Sequence, residues 1–116
     1  MQEKIAIRKK TFVERKNKYF EVSNNFFSPL DRLLSKKKKN FSLSFYYPAN
    51  YEVNVLKLFE LIKVKKIKTL LPVINDKNEM KFVEWNYLDP LKINNFGMLD
   101  PCMQTKALMP DVMLVP

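Results

Sequence analysis

Hydrophobic and polar positions divide the chain into segments of different period. Between residue 3 and about residue 20, Ile5/Ala6, Phe12/Val13 and Tyr19/Phe20 recur every seven residues with no Pro or Gly between them, which predicts a helix carrying one apolar stripe. A second helix is expected at Ser28-Pro29-Leu30-Asp31. Ser28 suits the N-cap, Pro29 the first helical position and Asp31 the positive end of the dipole. It is expected to close in the lysines at 36–39, whose charge suits the negative end. Phe41, Leu43 and Phe45 then alternate with Ser42 and Ser44, the period of a strand with one face buried. Pro48 ends that strand near Tyr47.

Asn54 can cap a helix over about 54–64, in which Val55, Leu56, Phe59 and Ile62 share a face. Ile67-Lys68-Thr69-Leu70-Leu71 predicts a second strand, stopped by Pro72. Strand, helix and strand at this spacing form a parallel crossover. Asn75-Asp76-Lys77-Asn78 is turn-forming, and residues 80–85 predict a further strand with Met80, Phe82 and Glu84 on one face. Residues 86–110 are expected to be mostly loop, with a positive φ at Gly97. The chain closes in Asp111-Val112-Met113-Leu114-Val115-Pro116, the continuous apolar run of a parallel strand buried on both faces. The expected fold is α/β, three-layered, with a mainly parallel sheet and helices on both faces. It is organised as one domain: two N-terminal helices over 3–38 and an α/β core over 41–116. Because the last strand stops where such folds usually begin a functional loop, the domain is expected to be truncated at its C-terminus.

Composition narrows the chemistry mainly by what is missing. With no histidine, Ser-His and Cys-His dyads and His-based zinc sites cannot be built within the chain. One glycine, Gly97, cannot supply a P-loop or a G-x-G-x-x-G turn. A single cysteine, Cys102, excludes an internal disulfide and fits a reducing compartment. No apolar run reaches the roughly 18 residues of a membrane span, and the first ten residues lack the apolar core of a secretory signal. A cytoplasmic protein is expected. The 21 Lys+Arg against 12 Asp+Glu give a formal charge of +9, a balance that favours polyanionic partners or reflects Lys- and Asn-rich coding.

Three sets of residues carry candidate chemistry. Glu52 stands in the turn beyond the first strand, the kind of position where α/β sheets bind ligands. Its ordinary alternative is a loop carboxylate near a helix N-terminus. Lys4 and Arg8 are i,i+4 neighbours on the first helix, with Arg15 further along the same face. Such a row can grip a phosphate chain or be a solvated basic face. The lysines at 36–39 admit an alternative function, a small basic nucleic-acid-binding module.

The order of elements resembles the 5-formyltetrahydrofolate cyclo-ligase family, also called methenyltetrahydrofolate synthetase. The matching residues are Lys4-x-x-x-Arg8, Tyr46-x-Pro48-x-x-x-Glu52-Val53, Pro72, Met80-x-Phe82-x-x-Trp85, Phe96-Gly97-x-x-Asp100-Pro101 and Pro110-Asp111-x-x-Leu114-Val115-Pro116. They cover essentially this whole chain but only the N-terminal part of the family. The resemblance implies ATP- and Mg²⁺-dependent closure of 5-formyltetrahydrofolate to 5,10-methenyltetrahydrofolate, with release of ADP and phosphate. It implies Lys4 and Arg8 as ATP-binding residues and Tyr47, Glu52 and Phe96 as substrate-binding residues; no catalytic residue or metal ligand is assigned. The implied partner is the small-molecule substrate, with no nucleic acid or membrane, in a protein that is monomeric at full length. Tyr51, Asn54 and Val55 depart from the family pattern, and the family's Gly-rich ATP loop is absent. These residues are therefore expected to be inactive alone, the reaction belonging to the full-length protein. A non-catalytic relative of the family is a further alternative.

Overall fold

The computed structural model describes residues 1–23, 25–36, 41–62, 67–102 and 106–116. Helix α1 is Gln2–Lys18 and helix α2 is Ser28–Ser35. Strand β1 (Ser42–Ser44) leads through a 3-10 turn, Val55–Lys57, into helix α3, Leu58–Ile62. Strands β2 (Lys68–Ile74), β3 (Met80–Glu84), β4 (Leu91–Ile93), β5 (Leu99–Pro101) and β6 (Val112–Met113) follow. The main sheet has the order β3-β2-β1-β6, with β1 parallel to both β2 and β6 and β3 antiparallel to β2. This is an α/β fold with a mixed sheet of four strands, and β1–α3–β2 is the expected parallel crossover.

Central placement corrects the reading of β1. Flanked by β2 and β6, it is buried on both faces, Ser42 and Ser44 included. A buried hydroxyl needs a partner, and both have one. Ser42 Oγ donates to Met109 O at 3.1 Å and accepts from Asp111 N at 3.0 Å, while Ser44 Oγ donates to Phe45 O at 3.3 Å. Strand β6 is parallel as expected but not buried on both faces. It pairs with β1 alone among the described strands, and Met113 and Val115 are exposed.

Pro72 does not stop β2, which runs two residues past it. The rungs toward β3 are made by the odd-numbered residues: Trp85 N donates to Thr69 O at 2.9 Å and Asn75 N to Glu79 O at 3.0 Å. The missing N–H of Pro72 therefore points the other way, toward β1, whose pairing with β2 ends after Phe45 N donates to Leu70 O at 2.8 Å. A proline fits a strand where the partner on its N–H side has departed.

Helix α2 begins one residue earlier than its Ser-Pro signal predicts. Phe27 is the N-cap and Ser28 the first helical residue, with no side-chain cap. The buried ring of Phe27 anchors the entry instead. The lysines at 37–39 lie outside the described residues. Residues 86–110 are not mostly loop, because β4 and β5 form an antiparallel hairpin lying against β2. Its turn is held by Asn94 Oδ1, which accepts from Phe96 N at 2.8 Å and Met98 N at 3.0 Å, with Gly97 at φ +74°.

The core joins Phe41, Leu43 and Phe45 of β1 and its flanks to Leu58, Phe59 and Ile62 of α3, Val22, Phe27 and Leu34 near α2, and Leu71 and Trp85. Asn54 starts the α3 segment as expected, its Oδ1 accepting from Leu56 N at 3.1 Å. Asn54→Ala is expected to cost about 1 kcal/mol, the usual worth of a side-chain cap, read as a lower urea midpoint at unchanged slope.

Candidate functional site

The carboxyl ends of the parallel strands β1, β2 and β6 open on one side of the sheet, and the turn after β1 crosses above them. This turn makes a sharp reversal. Asn50 and Tyr51 adopt φ +50° and +64°, left-handed values that are uncommon for non-glycine residues and unfavourable for a bulky one. Tyr51 is held there by its ring, which meets Phe12 at 5.5 Å and Tyr19 at 5.9 Å between centroids, both edge-on. Phe12 lies on α1 and Tyr19, seven residues on, is its C-cap, so the C-terminal half of α1 rests on the turn. Its N-terminal half does not, and no residue of α1 is buried.

Glu52 follows immediately. Its Oε1 accepts from Ala49 N at 2.9 Å, closing the turn, and its Oε2 lies 3.6 Å from Arg15 Nη1. Beside it Tyr46 Oη donates to Val53 O at 2.9 Å. Burial, and secondarily the Glu52 carboxylate, raise the Tyr46 phenol above its ordinary value of 10.0. The folded state thus prefers the neutral phenol. Stability from this preference is fully present below pH 10 and is lost as pH rises through the higher folded value. The urea midpoint is expected to fall more steeply above pH 10 in the wild type than in Tyr46→Phe.

Glu52 lines two cavities. One, of about 460 Å³, lies over the strand ends and is walled by Tyr46, Tyr47, Pro48, Leu71, Pro72, Met80, Phe96, Met98 and Pro116 among others. The other, of about 370 Å³, lies between the turn and α1, with Thr11, Glu14, Arg15, Lys18 and Tyr19 on the helix side. The structure thus brings Tyr47, Glu52 and Phe96 around one crevice, an aromatic and thioether surface with two carboxylates in its lining, Glu52 and Asp100, the latter accepting from Asn94 Nδ2 at 3.2 Å. That combination suits a flat heterocycle bearing N–H donors.

Lys4 and Arg8 line neither cavity. They lie on the exposed N-terminal half of α1, about 16 Å and 10 Å along the helix axis from Arg15 at 1.5 Å per residue. Among the described residues the cation that reaches Glu52 is Arg15. Met80, which the alternation of residues 80–85 puts on one face with Phe82 and which is instead exposed, and Met98 also line the crevice, and neither is a substrate position implied by the resemblance.

No protein-family model matches the sequence, and no curated protein does. Among solved structures, the chain is similar to 5,10-methenyltetrahydrofolate synthetase from Aquifex aeolicus, determined by NMR, with a TM-score of 0.65 and 25% sequence identity. The chain shares the fold of that synthetase. The similarity covers 97% of this chain and 60% of the synthetase, so this chain spans about three fifths of its length. None of the helices among the described residues is long and apolar enough to cross a membrane.

Proposed function

We propose that this chain is the folate-binding portion of a 5-formyltetrahydrofolate cyclo-ligase, an enzyme that, at full length, closes 5-formyltetrahydrofolate to 5,10-methenyltetrahydrofolate with ATP and Mg²⁺. One observation carries the reading. Tyr47, Glu52 and Phe96, the three substrate positions implied by the motif resemblance, surround a single crevice at the strand ends of a fold shared with a methenyltetrahydrofolate synthetase. In this reading Tyr47 and Phe96 flank the pterin ring, and Glu52 accepts hydrogen bonds from its N–H edge. Together they hold the formylated ring in one orientation and exclude water from one face, the positioning that an intramolecular ring closure requires.

ATP fits the described residues only in part. Lys4 and Arg8 have the charge and geometry to meet phosphate oxygens, yet both stand on an exposed helix face outside either cavity. One glycine gives no backbone cradle of the phosphate-loop kind. No step is therefore assigned through the nucleotide or its metal. This chain alone is proposed to bind the folate without turning it over.

Titration calorimetry of the chain with 5-formyltetrahydrofolate tests the reading. Saturable binding at one site is the expected result. The competing reading, a basic nucleic-acid module, draws on the lysines at 36–39, of which 37–39 lie outside the described residues, and on exposed aromatics such as Phe20 and Phe26. A chain that ignores the folate but binds a single-stranded oligonucleotide, with affinity falling steeply in salt, would decide for that module.

A further inference from the structure

Glu52 is gripped from two elements at once, and the structure points to a role for the second grip. We propose that Arg15 is a positioning residue for the Glu52 carboxylate, setting its orientation toward a ligand in the strand-end crevice; this rests on the folate-binding reading above. The carboxylate has two oxygens and, among the described residues, each has one polar neighbour. Oε1 takes the Ala49 amide at 2.9 Å from within the turn, and Oε2 faces Arg15 Nη1 at 3.6 Å from α1. Two contacts from different elements define the plane of the group. Each oxygen keeps a further lone pair, so the carboxylate can accept a pair of parallel N–H bonds without releasing either holder.

The contact with the helix is otherwise apolar. Phe12 and Tyr19 meet the Tyr51 ring edge-on, and such contacts dock α1 against the turn but cannot orient a charge. Arg15 supplies the orienting charge. Its side chain is 37% exposed and that of Glu52 18%, so the attraction acts through a medium less polar than bulk water. Arg15 Nε is buried with no hydrogen-bond partner, so that edge of the guanidinium is not committed to another group.

The test compares wild type, Arg15→Gln, Arg15→Lys, Glu52→Gln and the Arg15→Gln/Glu52→Gln double variant. Calorimetric binding of 5-formyltetrahydrofolate and the amide resonance of Ala49 in ¹H–¹⁵N spectra are the readouts. Arg15→Gln is expected to weaken binding about fivefold, at the upper end of what a part-exposed ion pair contributes. Arg15→Lys should recover part of the loss. The double variant should bind no worse than Glu52→Gln alone, because Arg15 acts through Glu52. Without ligand, the Ala49 resonance should move in Arg15→Gln, since the carboxylate that receives this amide loses its second holder. If Arg15 only tethers α1, Arg15→Gln will lower the melting temperature while binding and the Ala49 resonance stay where they are, and the proposal is overturned. A Glu52→Gln variant that binds as the wild type does would sink the folate reading instead. The ligand-free Ala49 resonance would still decide whether Arg15 orients the carboxylate.

Discussion

Glu52→Ala is expected to weaken binding of 5-formyltetrahydrofolate roughly thirtyfold, about 2 kcal/mol, the worth of hydrogen bonds accepted by a charged group. The same substitution should leave stability nearly unchanged, and the reason is local. The donor it abandons, Ala49 N, sits in an exposed turn where water can replace the carboxylate. The Arg15 side chain it leaves is more than a third exposed, and pairs of that kind contribute about 1 kcal/mol or less. Affinity and stability therefore separate at this residue. Calorimetric titration alongside urea unfolding reads both from one preparation. A Glu52→Ala chain that binds within twofold of the wild type would remove the carboxylate from the site, and with it the carrying observation of the folate assignment. Phe96 offers a comparison. Its ring is 58% exposed at the hairpin tip, so Phe96→Ala should also weaken binding while hardly moving the urea midpoint.

The parallel crossover was legible because its signals are local. Asn54 before an apolar 3.6-period segment, flanked by two short β-rich runs, leaves few alternatives. The burial of β1 was not legible. A serine alternating with large apolar residues reads as a solvent face in a binary pattern, and whether it is one depends on whether another strand lies alongside. Here β6, nearly 70 residues later in the chain, is that neighbour. The same non-local fact misled the reading of β6 in the opposite direction: Val112, Met113 and Leu114 form an unbroken apolar run, yet among the described residues the strand has one partner, and Met113 remains half exposed. The hairpin escaped because three residues are too few to display a period, and prolines at 90 and 101 read as punctuation. Its only sequence sign was the Asn94 to Gly97 turn.

The candidate site divides along the same line. Glu52 lies in the turn beyond a strand end, the position that the fold rule for α/β sheets singles out, whereas Tyr47 and Phe96 came from motif resemblance. The cations of α1 share one face: Arg8 and Arg15 follow Lys4 by four and eleven residues, close to whole turns of a helix. Which of the three meets Glu52 depends on how far along its axis the helix is set against the turn. Periodicity describes rotation about that axis and says nothing of translation along it. The contact that decides the translation is Tyr51 against Phe12 and Tyr19, a long-range packing between aromatics that the sequence shows only as separate residues.

Phe45→Ala is expected to have the largest effect on stability, a loss of about 3–5 kcal/mol, as for other buried Phe truncations. Phe45 is 1% exposed, and its ring stacks on Phe59 with centroids 4.3 Å apart and planes 20° from parallel. Phe59 in turn meets Trp85 edge-on at 5.6 Å and stacks on Tyr87 at 5.1 Å. Trp85 carries Tyr47 at 6.2 Å, so the column begun by Phe45 ends in the wall of the crevice. Removing its first ring leaves a cavity that Phe59 can fill only by tilting away from Trp85. Against a typical total of about 5–15 kcal/mol for a domain, the loss leaves a protein with little native population in reserve. The urea midpoint should drop at unchanged slope, and Trp85 emission should shift even before unfolding. Because Tyr47 rests on Trp85, folate affinity should fall too, although Phe45 itself lines neither cavity. Should Phe45→Ala unfold within 1 kcal/mol of the wild type, the ring column would not be what joins core and crevice, and Tyr47 would have to be held by the turn alone.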